Sequence, residues 1–579
     1  MSRLQKLGSY INPYRGSTTQ GILALLVVNA LSVYIPLLIR DGIDRLKTTF
    51  TIDYLTQLTL AIAVLTSIMW AVRMASRILI FGVGRKVQAG LKQNLFEHIL
   101  SLEPGYFAST TVGDLVNRFT SDVENVMRLV GFAVLSTANI VFAYALTLPA
   151  MLFIDVKLTL LALAVYPLML ITVQIFSKNL RTQQVAVQEA LSDLSELIQE
   201  DMSGISLIKI YAQEENERRA FREKNQQLFT ANLKLAELRN TIFPIIQGLA
   251  SISLLVLLWQ GGEAIARGNI TVGGFLSLII YAQNLIFPTA LLGFTITAFQ
   301  RGEVSIDRIE AILTNRPKIT DTPQSLHPSQ PLQGDIEIRD LTYTYPEAIK
   351  PALDRLNLTI KAGESVAIVG PIGAGKSTLA NVIPRLLEVP KNSIFIDGYD
   401  ITQLSLEDLR RAIAYVPQES FLFSTTIENN IRYGDPLADR VTVETAAKLG
   451  QIHGEILNFP QQYETVVGER GITLSGGQRQ RTSLARALLV KAPILILDDA
   501  LSSVDNQTAT AILNNLTEAG QKRTTIFITH QLSAAASADR ILVMDRGQIV
   551  QAGTHEELIN QQGLYQWLWS QNQLEELLH

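Results

Sequence analysis

The sequence contains no cysteine. That excludes disulfide frameworks, thiol nucleophiles, Cys-ligated zinc and iron–sulfur clusters. Histidine is also scarce, with six residues in 579 and no H-x-x-x-H pair, so no metal-binding spacing is present. Charged residues make up only 18%, below the roughly 25% of an ordinary soluble chain. The net charge of -4 removes the basic footprint that a nucleic-acid partner requires. No tandem repeat or low-complexity tract stands out. What is present is length, too much for one domain, and a mean hydropathy of +0.21. Together these imply two unlike halves.

The charges avoid whole stretches of the first half. Gly21–Ile39, Tyr54–Val72, Leu129–Ile154, Leu158–Ser177, Asn240–Gly262 and Gly268–Gln300 contain none. Each meets the roughly 18–20 residues that a helix needs to cross about 30 Å of hydrocarbon. One such stretch could be a buried core helix. Six in three hundred residues cannot be, because a soluble domain of that size cannot surround six helices that are apolar on every side. We therefore expect transmembrane helices near residues 21–39, 54–78, 129–154, 158–177, 240–262 and 273–300. The loops after the second and fourth spans are long and basic, which places them on the cytosolic side, with both termini. Lys178–Gln199 has no Pro or Gly, so spans four and five should run on as one long helical hairpin. Gly204 and the stretch from Pro104 to Gly113 mark turns near the hairpin tips. Short helices there either transmit motion or only turn the chain.

Arg73 and Arg77 share a helical face at one end of span two. They either snorkel to the interface or form a basic spot for an anionic headgroup. Asn139, Tyr144, Gln174, Gln247, Gln283 and Asn284 lie at membrane depth and either line a cavity or bond between helices. The segment before Gly21 carries Arg3, Lys6 and Arg15 and has neither signal-peptide nor transit-peptide character. This fits a plasma (inner) membrane protein.

Residues 314–334 hold Pro317, Pro323, Pro328 and Pro331 among polar residues, the composition of a linker. The preceding 1–313 is the expected membrane domain. Across 335–579, short apolar runs alternate with helical patterns, which indicates an α/β domain with a mainly parallel core sheet. Ser365–Val369 leads into Gly370, Pro371, Ile372, Gly373, Ala374, Gly375, Lys376, Ser377 and Thr378, a G-x-x-x-x-G-K-[ST] loop between strand and helix. Its backbone N–H groups can cradle phosphates, with Lys376 on the β- and γ-phosphates and the Ser377 hydroxyl on Mg²⁺. Ile494–Leu497 ends in Asp498, a second candidate Mg²⁺ holder.

Leu474, Ser475, Gly476, Gly477 and Gln478 precede the helical run Arg479–Leu489. Here the sequence resembles the ATP-binding cassette (ABC) family, in its exporter-type half-transporter form. The resemblance extends over almost the whole chain. It implies that Tyr345 stacks on adenine and that Gln418 touches Mg²⁺. It further implies that Ser502, Ser503, Val504 and Asp505 form the D-loop and that His530 contacts the γ-phosphate. Gly113-Asp114-Leu115 and Phe119-Thr120-Ser121-Asp122 resemble the family's first cytosolic loop. Ser475, Gly476, Gly477 and Gln478 would hold the ATP of a second chain, because the P-loop of each chain faces the signature of the other. A dimer follows, moving hydrophobic or amphipathic compounds such as lipids or drugs, with the ATPase domain in the cytosol. ATP then acts by its differential affinity for the closed state.

One departure matters. The family usually places glutamate after the strand aspartate, as the base that polarises attacking water. This chain has Asp499, which shortens the reach by about 1 Å or more, a misplacement that can cost about 10²-fold. Such wear resembles the degenerate-site subunit of heterodimeric exporters. A heterodimer is therefore the preferred expectation and a slow homodimer the alternative, with Asp499 and His530 as the catalytic candidates. An ATP-gated regulatory or channel-like subunit is the rival reading.

Overall fold

The structure, a computed structural model, describes residues 3–46, 51–346, 348–518 and 523–578. Two compact units emerge. One comprises Met1–Leu100 with Thr111–Asn315, and the other Ser101–Thr110 with Arg316–His579.

The first unit is built on six helices long and apolar enough to cross a membrane: α1 (Arg15–Leu46), α2 (Ile52–Ser101), α3 (Val112–Ile154), α4 (Val156–Ser203), α5 (Glu214–Ala266) and α6 (Val272–Leu313). The apolar stretch of α2 is entirely unburied, while half of that of α6 is buried. Apolar surface turned outward suits a hydrocarbon solvent, which also requires every backbone group to be satisfied internally. Polar side chains of α6 bond carbonyls of α1 around its Pro36: Tyr281 Oη donates to Val33 O at 2.7 Å and Ser277 Oγ to Pro36 O at 2.7 Å. Three of the polar residues at membrane depth also bond between helices. Asn139 accepts from Asn29 (3.2 Å), Tyr144 pairs with Thr289 (2.5 Å), and Asn284 donates to Ser32 (3.4 Å).

The hairpin of α4 and α5 runs well beyond the apolar windows, as expected, and Lys224 pairs with Asp193 across it at 2.8 Å. Gly204 ends α4, its N–H reaching Glu200 O at 2.8 Å, and Ile205–Ile210 forms a short helix. Helix α3 starts 17 residues before the expected span, at Val112 rather than 129. Its charges neutralise one another along the helix: Arg118 bonds Asp114 and Asp122 at 2.9 Å each, and Arg128 bonds Glu124 at 2.6 Å. Charge therefore marks where the hydrocarbon begins but not where the helix does.

The second unit holds two sheets. β1 (Ile336–Tyr343), β2 (Leu353–Ile360), β4 (Ile394–Ile396) and β5 (Tyr399–Asp400) form an antiparallel sheet in the order β2-β1-β4-β5. The core sheet has the order β10-β9-β3-β8-β7-β6, with β3 (Ser365–Val369), β6 (Ile413–Val416), β7 (Ile494–Asp498), β8 (Thr524–Ile528), β9 (Arg540–Asp545) and β10 (Gln548–Gly553). All neighbours are parallel except edge strand β10. β7 and β8 are buried at every position, as strands covered on both faces must be. In β1, buried Ile336 and Ile338 alternate with more exposed Glu337 and Arg339, the pattern of a sheet with one covered face. Helices α7 (Lys376–Val382), α8 (Arg440–Leu449) and α9 (Gly476–Leu489) complete what the site needs.

Candidate nucleotide site

β3, β6, β7 and β8 are parallel, so their carboxyl ends share one edge of the sheet. That edge is where ligands bind in open α/β sheets. It delivers Gly370 after β3, Gln418 just beyond β6, Asp498–Asp499 at the end of β7 and Thr529–His530 after β8. The sequence signals scattered over 160 residues thus converge.

The loop from β3 to α7 is wound tightly. Gly370 has φ +149° and Gly375 φ +98°, and a Cβ at either would run into a backbone carbonyl, of Met544 and Ala352 respectively. Only glycine fits there. Ala374 is buried and Ile372 lies almost wholly in solvent, so these two contribute backbone rather than side chain. Lys376 folds back onto its own loop, donating to Gly370 O at 2.7 Å and Pro371 O at 2.9 Å. Burial lowers its pKa, opposed by the nearby carboxylates of Asp499 and Asp498. Thr378 bonds the hydroxyl of Tyr345 at 3.2 Å, and the Tyr345 ring stands edge-on to Tyr343 while remaining 40% exposed. An aromatic face beside the phosphate cradle is available for stacking.

Ser377 Oγ donates to Asp498 Oδ1 at 2.9 Å, and Tyr415 Oη reaches Asn381 Oδ1 at 2.9 Å and Asp498 Oδ2 at 3.5 Å. Asp498 is buried with no cation in ion-pair reach among the described residues. Desolvation first, and then the charge of Asp499, push its pKa up, although the Ser377 hydroxyl opposes this. A buried carboxylate beside a serine hydroxyl and a second carboxylate is short of positive charge. Mg²⁺ held partly by phosphate oxygens fits it, because that ion needs only one or two protein carboxylates. No group of three or more potential metal ligands exists among the described residues, so an all-protein cage is not on offer.

Asp499 sits in the left-handed region at φ +50°. Its N–H bonds Ile528 O at 3.0 Å, and Gln418 and the main chain of His530 lie near enough to its carboxylate to favour the charged form. Burial raises its pKa, and the charges of His530 and Lys376 draw it back down. The His530 ring is exposed.

The signature opens α9 three residues earlier than the helical pattern indicates. Ser475 is its N-cap, in a capping box. Its Oγ accepts Gln478 N at 3.2 Å and Gln478 Oε1 accepts Ser475 N at 2.9 Å. Gln478 Nε2 donates to Glu455 at 2.9 Å, so its side chain is committed to shaping the turn. Sequence reasoning missed Gln480. This buried amide donates to Ser502 Oγ at 2.9 Å and accepts Ser503 N at 2.8 Å, while Ser502 Oγ donates to Asp499 O at 3.0 Å. One side chain thereby ties the signature helix to the segment carrying Asp499. The signal was available: Gln480 shares a helical stripe with buried Leu484, Ala487 and Leu488, where a polar group must find a partner.

Arg73 and Arg77 are both exposed and line neither the cavity beside Val27 and Leu146 nor the one beside Asn125 and Arg301.

Known proteins match the chain from end to end. The model of the ABC transporter transmembrane region matches residues 19–289 and that of the ABC transporter residues 353–502. A probable multidrug resistance ABC transporter ATP-binding/permease protein of Bacillus subtilis is 34% identical over 99% of this chain and 98% of its own. An ATP-dependent lipid A-core flippase of Syntrophus aciditrophicus is 32% identical over 98% and 94%. A solved bacterial Atm1-family ABC exporter with ATP bound superposes with a TM-score of 0.77 at 25% identity, covering 96% of this chain and 99% of that one.

Proposed function

Because the chain belongs to the ABC transporter family, with six spans and an ABC ATPase domain, we propose that it is one half of a dimeric exporter. It hydrolyses ATP to move lipids, drugs or other hydrophobic or amphipathic compounds across the membrane. The observation that carries this is the single sheet edge that gathers the phosphate loop, Asp498, Asp499 and His530 on the same chain as six apolar helices. In this reading, residues 1–313 form the membrane domain, 314–334 the linker and 335–579 the ATPase domain. The ATPase domain and both termini face the cytosol of a cell bounded by the inner membrane.

The residues divide the work. Backbone N–H groups of Gly370–Thr378 cradle the phosphates, and the ring of Tyr345 carries the adenine. Lys376 leaves its own carbonyls for the β- and γ-phosphate oxygens, exchanging two neutral acceptors for charged ones. Ser377, Gln418 and Asp498 would hold Mg²⁺, which when bound neutralises phosphate charge. Asp499 orients water as base, and His530 donates toward the γ-phosphate. Ser475, Gly476 and Gly477 offer N–H groups and a helix N-terminus to the ATP of the partner, while Gln478 fixes their turn. The partner is a second half-transporter. The shortened base at 499 favours a different chain over a second copy, because one slow site is tolerable where the other carries turnover.

The test is uphill transport. The chain, alone and with a co-expressed sister chain, is reconstituted in sealed vesicles with fluorescent amphipaths. Accumulation against a gradient that requires ATP hydrolysis supports export. Only downhill flux in both preparations refutes it.

A further inference from the structure

A cavity of about 690 Å³ opens within the helical unit, bordered by α3, α4, α5 and α6. Its lining contains four cations, Arg128, Lys178, Arg181 and Arg301, and no aspartate or glutamate. Phe132 and Phe294 line it too, with Leu180, Ile242 and Leu291. Arg128 is neutralised by Glu124 at 2.6 Å. Lys178, Arg181 and Arg301 have no carboxylate within ion-pair distance among the described residues. Three cations without counter-ions around one concavity repel each other unless an anion joins them.

Their positions along the chain add a second argument. Arg128 immediately precedes the charge-free window Leu129–Ile154, Lys178 immediately follows Leu158–Ser177, and Arg301 immediately follows Gly268–Gln300. Three separate helices thus place the first charge outside their apolar windows on the same cavity. These cations mark the edge of the hydrocarbon, whereas Phe132 and Phe294 fall within the apolar windows. That arrangement suits a molecule with an anionic head and an apolar body, oriented as a lipid would be.

Resting on the export reading, we propose that this cavity selects amphipathic anions with a phosphate-type head. Lys178, Arg181 and Arg301 grip the head, and Phe132 and Phe294 pack against the tail. The head is recognised by charge-assisted hydrogen bonds, with the guanidinium groups suited to two phosphate oxygens at once. Neutral amphipaths of the same length would gain only the apolar contact.

The test is equilibrium binding to the detergent-solubilised full chain, which requires no turnover and so remains informative even if transport fails. The probes are dodecyl phosphate, a neutral dodecyl maltoside and glycerol phosphate. Dodecyl phosphate should bind at least about tenfold more tightly than either of the others. In a Lys178→Gln/Arg181→Gln/Arg301→Gln variant this preference should collapse while dodecyl maltoside binding stays within about twofold. An Arg181→Lys/Arg301→Lys variant should restore most of it, and an Arg73→Gln/Arg77→Gln variant should keep it in full. Equal binding of the charged and neutral dodecyl compounds overturns the proposal. So does equal loss of both in the glutamine variant. Glycerol phosphate binding as tightly as dodecyl phosphate overturns the amphipathic part and leaves a site for free phosphate. If instead the binding preference holds but no compound is moved uphill by any preparation, the export reading fails and the cavity stands.

Discussion

Asp499→Glu should make the enzyme faster. The main-chain N–H of Asp499 is fixed to Ile528 O at 3.0 Å, which anchors the residue at the end of β7. It cannot slide toward a water without breaking that bond. One more methylene carries the carboxylate about 1.5 Å further out, the length of a C–C bond. A reacting group about 1 Å out of place costs about 10²-fold, so the longer side chain should raise turnover by about 10- to 100-fold at saturating Mg-ATP. Asp499→Asn should lower it by less than about tenfold, because a base that does not reach contributes little. The gain has a cost in stability. At φ +50° aspartate is among the residues that tolerate the left-handed region, and glutamate is less suited to it, by up to about 1 kcal/mol. The assay is phosphate release by the chain alone in proteoliposomes, with a single-turnover arm to isolate the chemical step. An unchanged or slower glutamate variant, together with brisk wild-type turnover that vanishes in Asp499→Asn, refutes the reasoning. The aspartate would then be a competent base where it stands.

Other consequences follow from the same site. Gln480→Ala strips partners from Ser502 and from Ser503 N–H in a buried setting and should destabilise the ATPase unit by about 1–3 kcal/mol. In a double-mutant cycle with Ser502→Ala on ATP turnover, additive losses would show that no coupling runs through this amide. Gly370→Ala meets the Met544 carbonyl at φ +149°. Nucleotide binding by a fluorescent ATP analogue should fall at least tenfold, and unaltered binding would contradict the tight loop. Asp498 and Asp499 both have pKa values raised by burial. Such groups favour the folded state fully below the unfolded pKa, and that contribution is lost as pH rises through the folded pKa. Without nucleotide, therefore, Asp498→Asn should raise the unfolding temperature near pH 7 and have no such effect near pH 4. A stabilisation equal at both pH values would exclude the charge as its cause.

The sequence discloses the site far better than its scaffold. The phosphate loop, the β7 aspartates and the signature are contiguous, and each states its chemistry within a few residues. Their convergence follows from parallel strands, which the all-apolar runs Ile494–Leu497 and Val366–Val369 already indicate. The antiparallel sheet of β1, β2, β4 and β5 was not legible, because its strands pair across up to sixty residues and two are only two or three residues long. The early start of α3 was hidden because Arg118 and Arg128 are cancelled by acids four residues away, which an apolar window cannot register. Gln480 was legible from its stripe of buried neighbours, but the basic cavity had no local pattern to show it. Arg128, Lys178 and Arg301 are distant in sequence and meet only through helix packing, whereas Arg73 and Arg77 lie four residues apart on one helix.

The ten residues Ser101–Thr110 belong to the second compact unit although the chain on either side belongs to the first. Leu102 is buried there, and Glu103 Oε2 takes the backbone N–H of Lys318 at 3.2 Å. A cut in the proline-rich linker would thus leave the excised motor missing a fragment of itself. Anyone grafting this motor onto another transporter must transplant two pieces of gene, because the recipient's own decapeptide would have to match a foreign socket.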